Sequence, residues 1–216
     1  MYHFEFVSRE KRAPVKAGLI SIIQETQTLL RDTLPFHFYF VGSDRRDMVT
    51  CDPTANVGYD FDVNLELQGD GGPETPDQIK AMFIRALNQT ARKYGYDYAE
   101  DSTRVITLKC KDRQNARILH SCDFAIVRNY ADKKGHPHRE YIHFNKKQNR
   151  CAWKRRPDPQ NKLLQKAQWL KDHGYHEEMR RLYLEKKNRN LGLRKHSRSL
   201  YAEAVHETCQ RHGFYT

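Results

Sequence analysis

The chain has 216 residues, 38% hydrophobic and 30% charged, with a formal net charge of +11. That length suits one domain or one domain with an appendage, and no apolar run approaches the ~18–20 residues of a membrane-spanning helix, so no such span is expected. The five cysteines (Cys51, Cys110, Cys122, Cys151, Cys209) are odd in number, scattered and without a Cys-x-x-Cys pair, which argues against a disulfide framework or zinc ribbon and for the reducing cytoplasm.

The start, Met1 to Phe6, lacks the basic head and apolar centre of a signal peptide. Residues 13–31 then carry apolar side chains at Val15, Leu19, Ile22, Ile23, Leu29 and Leu30, the spacing of a one-faced helix, with Pro14 suited to its first turn and Pro35 ending it. An apolar run over 36–42 predicts a strand that closes on Gly42-Ser43. The polar stretch 44–58 holds two turn signals, Asp52-Pro53 and Asn56-Val57-Gly58, and leads into a second strand at 59–67. Gly69, Gly71, Gly72 and Pro73 break that strand. Thr75-Pro76-Asp77-Gln78 reads as a capping box with proline at the first helical position, and Ile79, Met82, Phe83, Ala86 and Leu87 give this helix its buried face before Gly95 stops it. Strands follow at about 104–110, 121–128 and 139–144. Beyond Pro157 the chain turns helical, with one helix marked by Leu163, Leu164, Ala167 and Leu170, another by Met179, Leu182 and Tyr183, and a third by Leu200, Tyr201, Ala204, Val205 and Thr208. This order predicts an α+β fold with one mixed sheet flanked by helices, a core over 1–156 and a basic helical segment over 157–216 packed on it.

Charge is unevenly spread. Residues 128–199 hold 21 Lys or Arg against 7 Asp or Glu, so the rest of the chain is mildly acidic. A tract of this sign attracts polyphosphate or nucleic acid, and equally makes a solvated helical surface.

The acids on the strands are the sharpest signal. Asp60 and Asp62 lie two apart in Tyr59-Asp60-Phe61-Asp62-Val63, so they share one face while Phe61, Val63 and Leu65 share the other. Two carboxylates side by side repel, and a divalent cation between them relieves that. Asp123 opens a further apolar run, Asp123-Phe124-Ala125-Ile126-Val127, where a lone buried charge would be costly. Three acids from two strands beside a Gly-Ser turn point to a two-metal site. An ordinary amphipathic strand continued by Asn64 and Glu66 is the competing explanation.

Gly-Ser after a strand, Asp-x-Asp on the next and a third Asp on a later strand resemble the nucleotidyltransferase superfamily of DNA polymerase β, most of all the cyclic GMP-AMP synthase and oligoadenylate synthase branch and its bacterial relatives. The resemblance covers about 15–145. It implies that Gly42 and Ser43 hold a triphosphate, that Asp60 and Asp62 bind two Mg²⁺ ions (Mn²⁺ being the alternative ion), and that Asp123 binds the second ion and orients or deprotonates the attacking hydroxyl. Arg45 and Arg46 then sit in a loop able to reach phosphate oxygens. The loop from Ser43 to Asp60 is longer than the family pattern. The implied reaction joins an NTP to a hydroxyl acceptor (a second nucleotide, an RNA end or a protein) with release of pyrophosphate. A basic RNA-binding protein without catalysis, or a two-metal nuclease, would use the same residues.

Lys146 and Lys147, with Trp153, Lys154 and Arg155, combine cations with an aromatic ring and suit contact with nucleic acid or the acceptor; Trp153 serves equally as a packing residue. His206-Glu207 begins like a zincin motif, but the next histidine, His212, falls six residues on and misses the one-turn spacing.

Overall fold

A computed structural model describes residues 2–55, 57–69, 72–131, 134–156, 161–190, 192 and 194–214. Asn56, Gly71 and Pro157, read above as turn and junction signals, lie outside the described residues. The chain divides into two compact units, one made of 7–49 and 56–157, the other of 1–6, 50–55 and 158–216.

The larger unit is built on a mixed sheet. Strand β2 (Phe36–Val41) runs antiparallel to β4 (Tyr59–Leu67), which runs parallel to β7 (Arg117–Ala131); β7 then pairs antiparallel with β6 (Ile106–Asp112), and β5 (Glu100–Asp101) closes that edge. Beyond Phe124 the β6 edge of β7 is taken over by β8 (Pro137–Asn145), which pairs antiparallel with Val127–Ala131 and in turn with β9 (Arg150–Arg155). One face of this sheet is covered by α1 (Arg9–Leu30) and α3 (Pro76–Ala91). Leu19, Ile22 and Ile23 from α1 and Ile79, Phe83 and Leu87 from α3 are buried, as are Phe61, Val63, Leu65, Phe124 and Ile126 from the sheet. Each such side chain contributes roughly 1.5–3 kcal/mol. Phe36 of β2 meets Phe83 of α3 edge to face at 5.0 Å.

The helix ends follow local chemistry. In α3 both halves of the capping box form: Gln78 N–H donates to Thr75 Oγ1 and Thr75 N–H donates to Gln78 Oε1 at 2.8 Å. A 3₁₀ turn (Arg92–Tyr94) follows, and Gly95 ends it at φ 82°, a left-handed conformation that glycine adopts freely. Helix α1 starts earlier than its apolar pattern suggested. Ser8 caps it, accepting from Lys11 N–H, so Pro14 is its sixth residue rather than part of its first turn. Five strands were legible. The strand β9 was not, because Arg-Cys-Ala-Trp-Lys-Arg lacks apolar alternation, and neither were the short β1, β3 and β5.

The smaller unit pairs β1 (Glu5–Phe6) with β3 (Thr50–Cys51) and contains α4 (Asn161–Asp172), α5 (His176–Asn188) and α6 (Ser197–Arg211). The long loop after Ser43 is therefore long because it carries β3. Asn188 clamps the chain at Phe4, accepting from its N–H at 2.6 Å and donating to its carbonyl at 3.1 Å. Leu170, Met179, Leu182, Leu200, Ala204 and Val205 are buried. Leu164 is not part of that core, being 61% exposed; Lys166 takes the buried position instead, with its ammonium 3.1 Å from His206 Nδ1. None of the described helices is long and apolar enough to cross a membrane.

Candidate active site

Strand pairing brings the three aspartates together. Asp62 and Asp123 are register partners across the parallel β4–β7 ladder, and Asp60 is opposite Ser121. Register partners on neighbouring strands project to the same side, and residues two apart on one strand do as well. Asp60, Asp62 and Asp123 therefore converge on the face away from α1 and α3, each offering one carboxylate oxygen within 4.8 Å of the others. They are the one such acidic, histidine or cysteine cluster among the described residues.

Two hydroxyls on the same face aim the carboxylates. Ser121 Oγ donates to Asp60 Oδ1 at 2.8 Å, and Thr107 Oγ1 of β6 donates to Asp123 Oδ1 at 2.6 Å. Sequence reading missed both. The signal was present for Ser121, which stands two before Asp123 on one strand; Thr107 becomes visible only through the register that places it opposite Asp123.

The Gly42-Ser43 bend closes the site from the end of β2. It forms a single helical turn, α2 (Gly42–Arg45), with Gly42 at φ 65°. A Cβ at Gly42 would lie 1.9 Å from Asp62 Oδ2 and 2.8 Å from Asp62 Cγ, so the backbone here touches the carboxylate and only glycine fits. The Ser43 backbone N–H faces the Asp62 carboxylate and favours its charged form. The other expected residues divide. Arg46 is half-buried and its charge acts on Asp62, whereas Arg45 is exposed. Lys146 and Lys147 are exposed in the turn between β8 and β9. Along β9 the alternation sets Lys154 on the aspartate side of the sheet and Trp153 and Arg155 on the opposite side, with the Arg128 guanidinium 4.2 Å from the Trp153 ring. Trp153 packs against Arg128, and with Arg155 it lies on the sheet face opposite the acids. Arg156, the last cation of the Trp153-Lys154-Arg155-Arg156 run, lies nearer: it donates to Asn64 Oδ1 at 3.2 Å and its charge acts on Asp62.

No family model matches the sequence, and no curated protein does. Solved structures match in fold. A Vibrio cholerae di-nucleotide cyclase in complex with ATP and GTP superimposes with a TM-score of 0.63 at 11% identity, over 94% of this chain and 69% of that one. A STING-associated c-di-GMP synthase from Capnocytophaga granulosa gives 0.53 at 15% identity, over 96% of this chain and 63% of that one. The Vibrio cholerae cyclic AMP-GMP synthase, a prokaryotic cGAS homolog, gives 0.53 at 12% identity, over 84% of this chain and 61% of that one. This is the nucleotidyltransferase fold. At these identities the likeness is one of fold, and the chain spans between 40% and 69% of the length of the structures it matches.

Within this nucleotidyltransferase fold the acids carry a large electrostatic cost. Burial, then the neighbouring Asp123 and Asp62, push Asp60 up to about 7, with the Ser121 hydroxyl opposing. Burial and Asp123 raise Asp62, against Arg46, the Ser43 N–H and Arg156. Burial raises Asp123, against Thr107 and Lys109. An all-oxygen anionic donor set of this kind suits a hard divalent cation, which would replace the protons that the cluster otherwise retains.

That competition fixes a sign. An unfolded aspartate loses its proton near 3.9, while folded Asp60 keeps one until about pH 7. Between those values the native state binds more protons than the unfolded state, so this group's stability is complete below about pH 4 and lost as pH rises through about 7. His120 acts oppositely, since burial lowers its pKa. The informative quantity is therefore the shift that Mg²⁺ adds. The rise in melting temperature on adding Mg²⁺ is expected to be several-fold larger at pH 8 than at pH 5. Scanning calorimetry at both pH values checks this, and an equal shift at both would place the ion elsewhere.

Proposed function

We propose that this chain transfers a nucleotidyl group from an NTP to a hydroxyl acceptor, with Asp60, Asp62 and Asp123 holding two Mg²⁺ ions (or Mn²⁺). The observation that carries the reading is the convergence of these three carboxylates, with the Gly42 backbone set against the Asp62 carboxylate. Bound cations supply charge neutralisation for the triphosphate and the leaving pyrophosphate. The chain's own groups do the rest. The Gly42 backbone and Ser43 hydroxyl take the triphosphate, with Arg46 and the more exposed Arg45 as its cationic neighbours. Asp123, steadied by Thr107, orients the acceptor hydroxyl and takes its proton. The hydroxyl oxygen bonds to the α-phosphorus as the bond from that phosphorus to the bridging oxygen breaks, and pyrophosphate leaves. All of these residues fall within 1–156, leaving the basic helical segment 157–216 outside the transfer chemistry. Consumption of NTP fits a cytoplasmic location.

A second nucleotide is the acceptor best supported, because the solved structures of this fold include synthases of cyclic dinucleotides. An RNA end is the rival, favoured by Lys154 on the aspartate side of the sheet. Incubation with the four NTPs and Mg²⁺ is expected to release pyrophosphate, to stop on adding EDTA, and to yield a cyclic or linear dinucleotide by mass spectrometry. An elongated RNA would make the acceptor a polynucleotide. Loss of RNA ends without pyrophosphate would make the protein a nuclease, and salt-sensitive RNA binding without either would make it a binding protein.

A further inference from the structure

Behind the Gly42-Ser43 turn lies an ion-pair cluster that the reaction does not use. The turn is followed by two acids, Asp44 and Asp47. Asp44 has a side chain only 5% exposed, and it takes Lys16 Nζ at 2.6 Å and Arg12 Nε at 3.5 Å. Asp47 takes Arg9 Nη2 at 3.0 Å and also the Arg12 guanidinium. Arg12 is itself only 7% exposed, so one buried guanidinium on α1 bridges both acids. Burial works against the Asp47 charge, yet the Arg9 and Arg12 guanidiniums hold its carboxyl down at about 2. The backbone between the acids is folded tightly: Met48 N–H donates to Ser43 carbonyl at 2.9 Å, Asp47 N–H donates to Asp44 carbonyl at 3.1 Å, and Asp47 has φ 59°. Aspartate is among the non-glycine residues that tolerate this left-handed region, and the two backbone bonds hold it there.

Two features separate this cluster from ordinary packing. An apolar contact would fix a helix to a turn at least as stably as buried charges do, since desolvation offsets much of a buried ion pair; a guanidinium fork adds a set direction. The acids also stand within five residues of Gly42, where the reading above seats an anionic triphosphate. Left without α1's cations they would repel that ligand.

We infer that Arg12, assisted by Lys16, is a positioning residue for the donor nucleotide: it locks the 42–47 turn in its phosphate-accepting shape and cancels the charge of Asp44 and Asp47. The inference rests on the proposed nucleotidyl transfer. Arg12 touches no reacting atom, so its removal acts on nucleotide affinity before it acts on chemistry. In the full chain with Mg²⁺, Arg12→Met is expected to raise KM for the preferred NTP about tenfold or more, with kcat changed less than about threefold. Arg12→Lys keeps the charge without the fork and is expected to recover part of the loss. Calorimetric titration with the α,β-methylene analogues of ATP and GTP should follow the same order. An unchanged KM and unchanged analogue binding, accompanied by a lower melting temperature, would make Arg12 a purely structural residue and overturn the inference. Should Arg12→Met fail to fold, Lys16→Met removes a half-exposed partner of Asp44 and is expected to raise KM about threefold; no change there overturns the inference equally. Wild-type protein that turns over NTP while the variants match it defeats this inference alone, whereas wild-type protein that neither binds nor turns over NTP defeats the proposed function and this inference with it.

Discussion

An Asp60→Asn protein is expected to lose nucleotidyl transfer and yet to melt at a higher temperature than the wild type in EDTA at pH 8. The two effects have one source. Asp60 is pushed up to about 7 by burial and by the charges of Asp123 and Asp62. Ionising it at pH 8 therefore costs the folded, metal-free protein roughly 3–4 kcal/mol relative to the unfolded chain, as an upper bound. Asparagine removes that cost while its amide oxygen still accepts from Ser121. At ~2–4 °C per kcal/mol for a chain of this size, a rise of several degrees follows. Activity moves the other way. A ligand position that supplies several kcal/mol of charge stabilisation, at 1.36 kcal/mol per tenfold, makes the loss of pyrophosphate release on the order of 10³-fold. Mg²⁺ should also stabilise the variant less than the wild type. A variant that is less stable in EDTA, or that keeps its turnover, would remove Asp60 from the site. The paired measurement discriminates because a merely structural aspartate would lose stability when neutralised, and a merely solvated one would change neither quantity.

Much of this was legible before any coordinates. Alternation in 59–67 fixed which way Asp60 and Asp62 point, since a strand's period of two admits only one assignment once Phe61, Val63 and Leu65 are given to the core. The capping box at Thr75 and the stop at Gly95 are local chemistry and formed as written. What escaped reading is non-local. The meeting of the three aspartates was expected, but the pairing that sets Asp62 opposite Asp123, 61 residues apart, depends on register that no window of sequence contains. So does the approach of Thr107 to Asp123. The strand β9 is held by pairing with β8 and by burial of Cys151 and half of Trp153, not by its own pattern, and its alternation is what separated Lys154 from Trp153 and Arg155. Arg12 illustrates the same limit. In sequence it is one of several basic residues at the head of an amphipathic helix; only the fold reveals that it is buried against two acids from a turn more than 30 residues away.

Gly42→Ala is expected to be the most damaging conservative change outside the carboxylates, costing on the order of 10²-fold in activity. Two costs act together. At φ 65° an alanine pays about 1–2 kcal/mol simply to occupy the left-handed region. Its methyl carbon would also start 1.9 Å from Asp62 Oδ2, less than any non-bonded separation, so either the turn or the carboxylate must move. Turning the Asp62 carboxylate alone leaves its Cβ 3.1 Å from the new carbon, and that Cβ is fixed because β4 is paired on both sides, to β2 and to β7, and its flanking Phe61 and Val63 are buried. The turn is held by α1's ion pairs and its own short-range backbone bonds, without a strand partner on either side. The strain should therefore be relieved by rotation of the turn, which withdraws the Ser43 N–H from Asp62 and the Gly42 backbone from the phosphate position. This predicts a specific ranking. Gly42→Ala should raise KM for NTP more than Arg12→Met does, because it alters the turn itself. It should lower the melting temperature by only a few degrees, in keeping with ~1–3 kcal/mol of local strain. Steady-state kinetics with thermal melts of both variants check the ranking. A Gly42→Ala protein with wild-type KM would mean that the Gly-Ser backbone does not contact the nucleotide, and that the phosphate chain lies along another edge of the aspartate cluster.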